Sequence, residues 1–196
     1  MSEKEMHFLD FNEGDPKKDE ALFKSIYMEF YPSLIGFAKG YLIEITLAED
    51  IVEDVMLKLW SNRQTISAIK NLRFYLFVAT KNACINYLIK IKKINSISID
   101  DLEIEICGAI TNAEENIISQ ENVAIINNEI NKLPKKCQAI FLLVKEEKLK
   151  YREVAELLNL SVKTIESQMA IAMKRLSDAM LNEFPAFISK KLKKQI

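Results

Sequence analysis

The chain has 196 residues and a formal net charge of −1 at pH 7, with 49% hydrophobic and 28% charged residues. This length suits one medium-sized domain or two small ones, and the scarcity of glycine and proline (four each) favours long helices over a sheet. One histidine, no Gly-rich phosphate loop and three scattered cysteines without a CxxC spacing argue against an enzyme, a cofactor, a metal site or a disulfide framework.

The distribution of charge is more informative than its sum. Residues 44–57 hold five acids and no cation, residues 70–93 hold six cations and no acid, and residues 94–131 hold eight acids and no cation. A surface selected only for solubility would mix its charges, so these blocks predict different partners at different places. No apolar run is long enough to span a membrane or serve as a signal core, which predicts a cytoplasmic protein.

The first predicted helix follows a polar, flexible lead-in at residues 1–18. Apolar and aromatic residues recur at helical spacing from Asp19 to about Ile43. Pro32 should kink or divide this helix, because proline has no N–H to donate. We interpret this segment as scaffold.

The second predicted helix runs from Thr46 to about Ser61. Thr46 followed by Glu49 is a capping-box pattern. One face is apolar, and the other carries an acidic stripe, which we define as Asp50, Glu53, Asp54 and Leu57. A solvated acidic face is the simpler interpretation. An apolar side chain among like charges, however, is typical of a binding patch for a basic helix.

The third predicted helix, at residues 71–93, follows a polar connection at residues 62–70. Its core face is predicted to contain Phe74, Phe77, Val78, Cys84, Ile85, Leu88 and Ile89. A second face gathers an aromatic ring, two amides and two lysines: Tyr75, Asn82, Asn86, Lys90 and Lys93. Such a set can stack on and hydrogen-bond exposed bases while its lysines contact phosphates. Alternatively, the lysines only solubilise a half-buried helix.

The helical period is lost at residues 94–112, which predicts a flexible acidic linker between domains at residues 19–93 and 113–180. Helical spacing resumes at residues 112–131, and Pro134 is placed to open the next helix. The last residues, 181–196, form a basic, amphipathic tail.

The stretch from Tyr151 to Leu176 predicts a helix-turn-helix. Ile165, Met169, Ala172 and Leu176 recur on one face of its second helix. Between the helices, Asn159 tolerates a left-handed backbone and Ser161 can cap the next helix. The opposite face carries polar and basic side chains, among them Lys163, Thr164, Ser167 and Lys174. Six cations against three acids in residues 148–175 fit a duplex partner.

Three motifs in this order resemble those of the extracytoplasmic-function (ECF) group of sigma-70 factors of RNA polymerase. AEDIVEDVMLKLW (48–60) resembles the core-binding helix of region 2, and NLRFYLFVATKNACINYLIK (71–90) resembles the helix that melts and reads the −10 element. Residues 133–176 resemble region 4, which reads the −35 element. The short connections and the phrase NLRFYLF are similar to sigma factors of Bacteroidetes.

This resemblance implies two helical domains and a partner for each surface. The acidic stripe would dock on the β′ clamp of core RNA polymerase, with region 4 at the β flap. Tyr75, Asn82, Asn86, Lys90 and Lys93 would hold the melted −10 strand, together with the 62–70 loop. The residues implied to contact the −35 duplex are Ser161, Lys163, Thr164, Ser167, Gln168 and Lys174. A membrane-bound anti-sigma factor and a monomeric free state are also implied.

The chain departs from the family pattern at a few positions. Met56 stands where phenylalanine is usual, and Asn159 replaces a glycine of the helix-turn-helix. Glu166 and Gln168 lie where many relatives have arginines, which implies a weaker or different −35 sequence. The alternative function is a two-domain helix-turn-helix regulator with an N-terminal sensing bundle. A third class, a protein-binding adaptor, leaves the face at Asn82 and Asn86 unexplained.

Overall fold

The computed structural model describes the backbone of residues 16–42, 44–95 and 120–183. No strand occurs in these ranges, so the predicted all-α fold class is confirmed for them. The chain divides into two compact units, Met1–Ile110 and Thr111–Ile196. The helices are α1 (Pro16–Ala38), α2 (Ile45–Ser61), the 3-10 helix η1 (Arg63–Ala68), α3 (Leu72–Asn95), α4 (Gln120–Asn131), α5 (Lys135–Lys145), α6 (Tyr151–Leu158) and α7 (Val162–Glu183).

In the first unit, α1, α2 and α3 each pack against the other two. The side chains of Phe37 and Phe77 meet edge to face, with ring centroids 5.0 Å apart. This geometry is favourable for aromatic rings beyond the area that they bury. The fully buried core residues of this unit include Ile26, Phe30, Leu34, Ala48, Val52, Leu76, Phe77 and Cys84.

Of the predicted kink or division at Pro32, the division is wrong, and the predicted cap at Thr46 is also wrong. Pro32 does not divide α1, which continues from Pro16 to Ala38. Phe30 and Leu34 on either side of it are completely buried, so core packing offsets the missing hydrogen bond. Thr46 does not cap α2, because the first helical bond runs from the Ala48 N–H to the Glu44 carbonyl, and Glu44 is the N-cap residue.

The core face of α3 is rotated from the predicted one. Phe77 and Cys84 are buried as expected, but Phe74, Val78, Ile85, Leu88 and Ile89 are only half-buried. The remaining buried positions are Leu72, Leu76 and Thr80. Because α3 is apolar around much of its circumference, its sequence period does not select the face that meets α1 and α2.

In the second unit, α7 contacts α4, α5 and α6. The predicted apolar face of α7 is confirmed, since Ile165, Met169, Ala172 and Leu176 are all buried. Pro134 lies just before α5, as its N-cap residue. The predicted 112–131 helix is described only from Gln120 onward, and the 94–112 linker lies almost entirely outside the described residues.

The two cysteines in the described part of the chain have buried, free thiols. Burial raises the pKa of Cys84 to about 12 and also raises the pKa of Cys137. A thiol with a raised pKa has little of the reactive thiolate at neutral pH. Their placement agrees with the predicted packing role, while Cys107 lies outside the described residues.

Candidate functional site

The acidic stripe lies on the solvent side of α2. Asp50, Glu53 and Asp54 are exposed, and Leu57 keeps 61% of its surface accessible. The opposite side of the helix holds the buried residues Ala48, Ile51, Val52, Val55, Met56 and Leu59. The apolar period of α2 therefore fixes the orientation of the stripe, and Leu57 lies on the exposed side of the helix.

A row of aromatic side chains on α1 borders the acidic stripe, and the sequence interpretation did not include it in the site. The Tyr31 hydroxyl donates to Glu53 Oε1 at 3.2 Å, and the rings of Tyr31 and Tyr27 stack with centroids 4.4 Å apart. Burial raises the pKa of Tyr31 above its ordinary value, with smaller contributions from Tyr27 and Glu53, and the hydroxyl donates in its protonated form. Phe23, Tyr27 and Tyr31 recur every four residues, a signal of one helical face.

The predicted polar face of α3 points to solvent. Tyr75 is 45% exposed, and Asn82, Asn86 and Lys90 are also exposed. The helical rise places Tyr75 and Lys90 about 22 Å apart along the axis, so the row can follow an extended strand. The Lys93 side chain lies outside the described residues.

The start of α3 is fixed locally by a capping residue. The Asn71 side-chain oxygen accepts a hydrogen bond from the Phe74 N–H at 3.0 Å. An amide at this position satisfies one of the unpaired N–H groups of the first turn. The cap therefore fixes the point at which the polar face begins.

The connection between α2 and α3 is more ordered than its polar sequence indicates. Residues 63–68 form η1, and Ile66 is 98% buried. The Thr65 hydroxyl and the Thr65 N–H both donate to the Asn62 carbonyl, at 2.8 and 2.9 Å. The predicted polar loop is therefore a short helix anchored in the core.

The helix-turn-helix consists of α6, a three-residue turn and α7. Asn159 has φ 53° and ψ 46°, so the predicted left-handed backbone is confirmed. The Leu160 N–H donates to the Ala155 carbonyl at 2.9 Å and closes the end of α6. At its start, the Lys150 N–H donates to the Glu153 carboxylate at 2.8 Å.

Five of the six predicted −35 residues lie on α7, and they differ in exposure. Lys163, Ser167 and Lys174 are exposed and share one face, at positions i, i+4 and i+11. Thr164 and Gln168 are half-buried. The structure locates these side chains, and their contact with DNA stays a prediction.

Ser161 is the capping residue of α7. Its Oγ accepts from the Thr164 N–H at 3.0 Å and forms a hydrogen bond with Thr164 Oγ1 at 2.8 Å. The predicted cap is confirmed. The Ser161 hydroxyl is thus engaged within the helix end, which makes stability its first role.

We expect Ser161→Ala to lower the free energy of unfolding by about 1 kcal/mol, because one N–H group at the start of α7 loses its partner. Ser167→Ala is the matched control, since its exposed hydroxyl only donates to the Lys163 carbonyl at 2.9 Å. The control should change the unfolding free energy by less than about 0.5 kcal/mol. Urea denaturation measures both, and equal values would contradict the capping role.

Other features of the described residues bear on possible chemistry. Within residues 16–42, 44–95 and 120–183, no group of three or more potential metal-ligating side chains lies together. Over the same ranges, no helix is both long and apolar enough to cross a membrane.

Comparison with known proteins gives the class of the two domains. Residues 26–94 match the model of Sigma-70 region 2, and residues 124–176 match that of Sigma-70, region 4. Together these segments take in more than half of the chain. The chain therefore carries region 2 and region 4 domains of the sigma-70 family, in this order. This is the domain content of a sigma factor, a DNA-binding protein of transcription initiation.

No curated protein matches this chain at the level of whole sequences. Among solved structures, it is similar to the sigma factor RpoE of Bartonella quintana, solved in complex with the anti-sigma factor NepR. The sequence identity is 21% and the TM-score 0.48, over 81% of this chain and 96% of the other. A likeness at this level by itself assigns neither function nor partner.

Proposed function

We propose that this protein is an ECF-type sigma factor. It binds core RNA polymerase, directs recognition of the −10 and −35 promoter elements, and promotes promoter melting and transcription initiation. It has no enzymatic activity and no cofactor of its own. The observation that carries the proposal is the pairing of the two sigma-70 domains with three exposed surfaces of different chemistry, on α2, α3 and α7.

The acidic stripe of α2 is the proposed contact with the β′ clamp, and the region 4 domain contacts the β flap. Three exposed carboxylates attract a basic partner, and Leu57 offers apolar area at their centre. Charge complementarity of this kind guides association and selects the partner, while desolvated apolar contacts contribute much of the affinity.

The polar face of α3, with the connection at residues 62–70 that contains η1, is the proposed site for the melted −10 strand. Extruding a base costs a few kcal/mol in lost stacking and pairing. Stacking on Tyr75 and hydrogen bonds to the amides of Asn82 and Asn86 offset that cost. Lys90 and Lys93 contact phosphates without reading sequence.

The exposed face of α7 is the proposed reader of the −35 duplex. Lys163 and Lys174 contact phosphates, and Ser167 and Gln168 reach base edges in the major groove. The excess of cations in this region is small. Few neutralised phosphates release few counterions, so this face alone gives a low affinity for DNA. A low affinity is enough when the polymerase supplies most of the binding free energy.

We further propose that the free protein is a cytoplasmic monomer held inactive by an anti-sigma factor, itself membrane-bound. Leu57, which is exposed among the carboxylates of α2, offers an apolar contact that we propose the anti-sigma factor covers when polymerase is absent. An anti-sigma factor is the partner that the resemblance of the sequence motifs implies. A Bacteroidetes origin stays a prediction.

Co-purification with core RNA polymerase, followed by run-off transcription from promoter libraries, tests the proposed function. The expected result is a stoichiometric complex that initiates at a promoter that core polymerase alone does not use. The alternative, a regulator with a sensing bundle, predicts duplex DNA binding without core polymerase. The absence of any association with core polymerase would refute the sigma-factor proposal.

A further inference from the structure

The 3-10 helix η1 has one side that faces the core and one that faces solvent. With three residues per turn, Arg63, Ile66 and Ile69 fall on one edge. That edge faces inward, since Ile66 is buried and the other two are half-buried. The outward residues, Gln64, Thr65, Ser67 and Ala68, are all exposed.

Arg63 ties this short helix to both neighbouring helices. Its Nε lies 3.1 Å from Asp19 Oδ2 in the first turn of α1, 44 residues earlier in the chain. Its guanidinium carbon lies 4.7 Å from the centroid of the Trp60 ring near the end of α2, and its Nη1 donates to the Trp60 carbonyl at 3.4 Å. Arginine is suited to this place because its planar group can stack and donate at once.

Neighbouring groups restrict the movement of the Arg63 side chain. The Asp19 side chain is 5% exposed and that of Arg63 is 33% exposed, so the ion pair is only partly screened by water. The other side of the contact is also packed, with the rings of Trp60 and Phe23 5.0 Å apart. The helices α1 and α2 already bury a shared apolar core, so the distinctive effect of Arg63 is on the segment that follows α2.

We propose that Arg63 is a positioning residue that, with Asp19, holds η1 in the conformation that receives an unstacked base of the melted promoter strand. This inference rests on the proposed function. A loop that is ordered before it binds loses less conformational entropy on binding. The exposed residues Gln64 and Ser67 lie in the segment directly before α3 in the chain, and this segment is already ordered before the DNA opens.

The test measures the rate of open-complex formation by holoenzyme at the promoter found by run-off transcription. Abasic sites are first placed one at a time through the melted non-template segment. The position at which base removal slows the wild-type holoenzyme most is taken as the captured base. Arg63→Ala is then compared with the wild type on the intact promoter and on that abasic promoter.

Arg63→Ala should slow opening about tenfold relative to the wild type on the intact promoter. On the abasic promoter the two proteins should open DNA at similar rates, because the losses from two interacting groups do not add. Arg63→Lys keeps the charge but not the planar fork, so it should recover only part of the rate. Affinity for core polymerase should stay within about twofold of wild type, since the acidic stripe is untouched.

Three results would overturn the inference: an unchanged rate on the intact promoter, equal losses on both promoters, or no base whose removal slows the wild type. Asp19→Asn provides a second variant of nearly the same size if Arg63→Ala fails to fold. The same non-additive loss is expected of it. Failure of the wild-type protein to bind core polymerase would instead refute the proposed function.

Discussion

Replacing Asp54 by lysine should abolish binding to core RNA polymerase while leaving the helical fold intact. Asp54 is exposed on α2, four residues after Asp50 and three before Leu57, so the three side chains are neighbours on one face. A lysine there removes one attraction to a basic partner and adds a repulsion. Like-charge contacts in an interface cost several kcal/mol, so affinity should fall by at least about a hundredfold.

A matched charge reversal separates this effect from a change in net charge. Glu20 is exposed on α1 and lies outside the acidic stripe, so Glu20→Lys should bind core polymerase nearly as well as the wild type. Binding is measured with labelled protein at two salt concentrations, because screening should weaken the wild-type complex as well. If Asp54→Lys retained its affinity, the docking surface would have to lie elsewhere.

Much of the fold and of the candidate surfaces could be predicted because local periodicity determines them. The buried face of α7, with Ile165 and Met169, and the exposed stripe of α2, with Leu57, both follow from spacing alone. The left-handed backbone at Asn159 also follows from residue type, since few side chains tolerate it. These features depend on residues within one or two turns of each other.

The missed features depend on contacts between distant parts of the chain. The pair of Arg63 with Asp19 and the bond from Tyr31 to Glu53 join residues 44 and 22 positions apart. No local pattern encodes such a pair. For the same reason the sequence predicts a polar connection where η1 forms. The burial of Ile66 depends on the surface that the other helices provide.

The orientation of α3 also depends on contacts with other helices, which the sequence of α3 does not encode. The sequence predicts a buried face that contains Phe74, which is half-buried, whereas Leu72 and Leu76 are in the core. Asn82 and Asn86, on the predicted polar face, are nevertheless exposed. Polar side chains mark the solvent side of an apolar helix more sharply than apolar ones mark its core side.

Asn82→Ala should slow promoter opening on duplex DNA by about three- to tenfold, the equivalent of one lost hydrogen bond of about 0.5–1.5 kcal/mol. On a template with a pre-melted −10 segment, the loss should be less than about twofold. The difference arises because the duplex must give up stacking and pairing before Asn82 can contact a base. The pre-melted template has already lost them.

Asn127→Ala is the matched control, because Asn127 is an exposed amide on α4, far in sequence from the proposed −10 surface. It should leave the opening rate unchanged on both templates. Opening is followed with a fluorescent base analogue in the −10 segment at saturating holoenzyme, so that differences in initial binding do not enter the rate. Equal losses for Asn82→Ala on duplex and pre-melted DNA would indicate a general binding contact and contradict its assignment to the melting step.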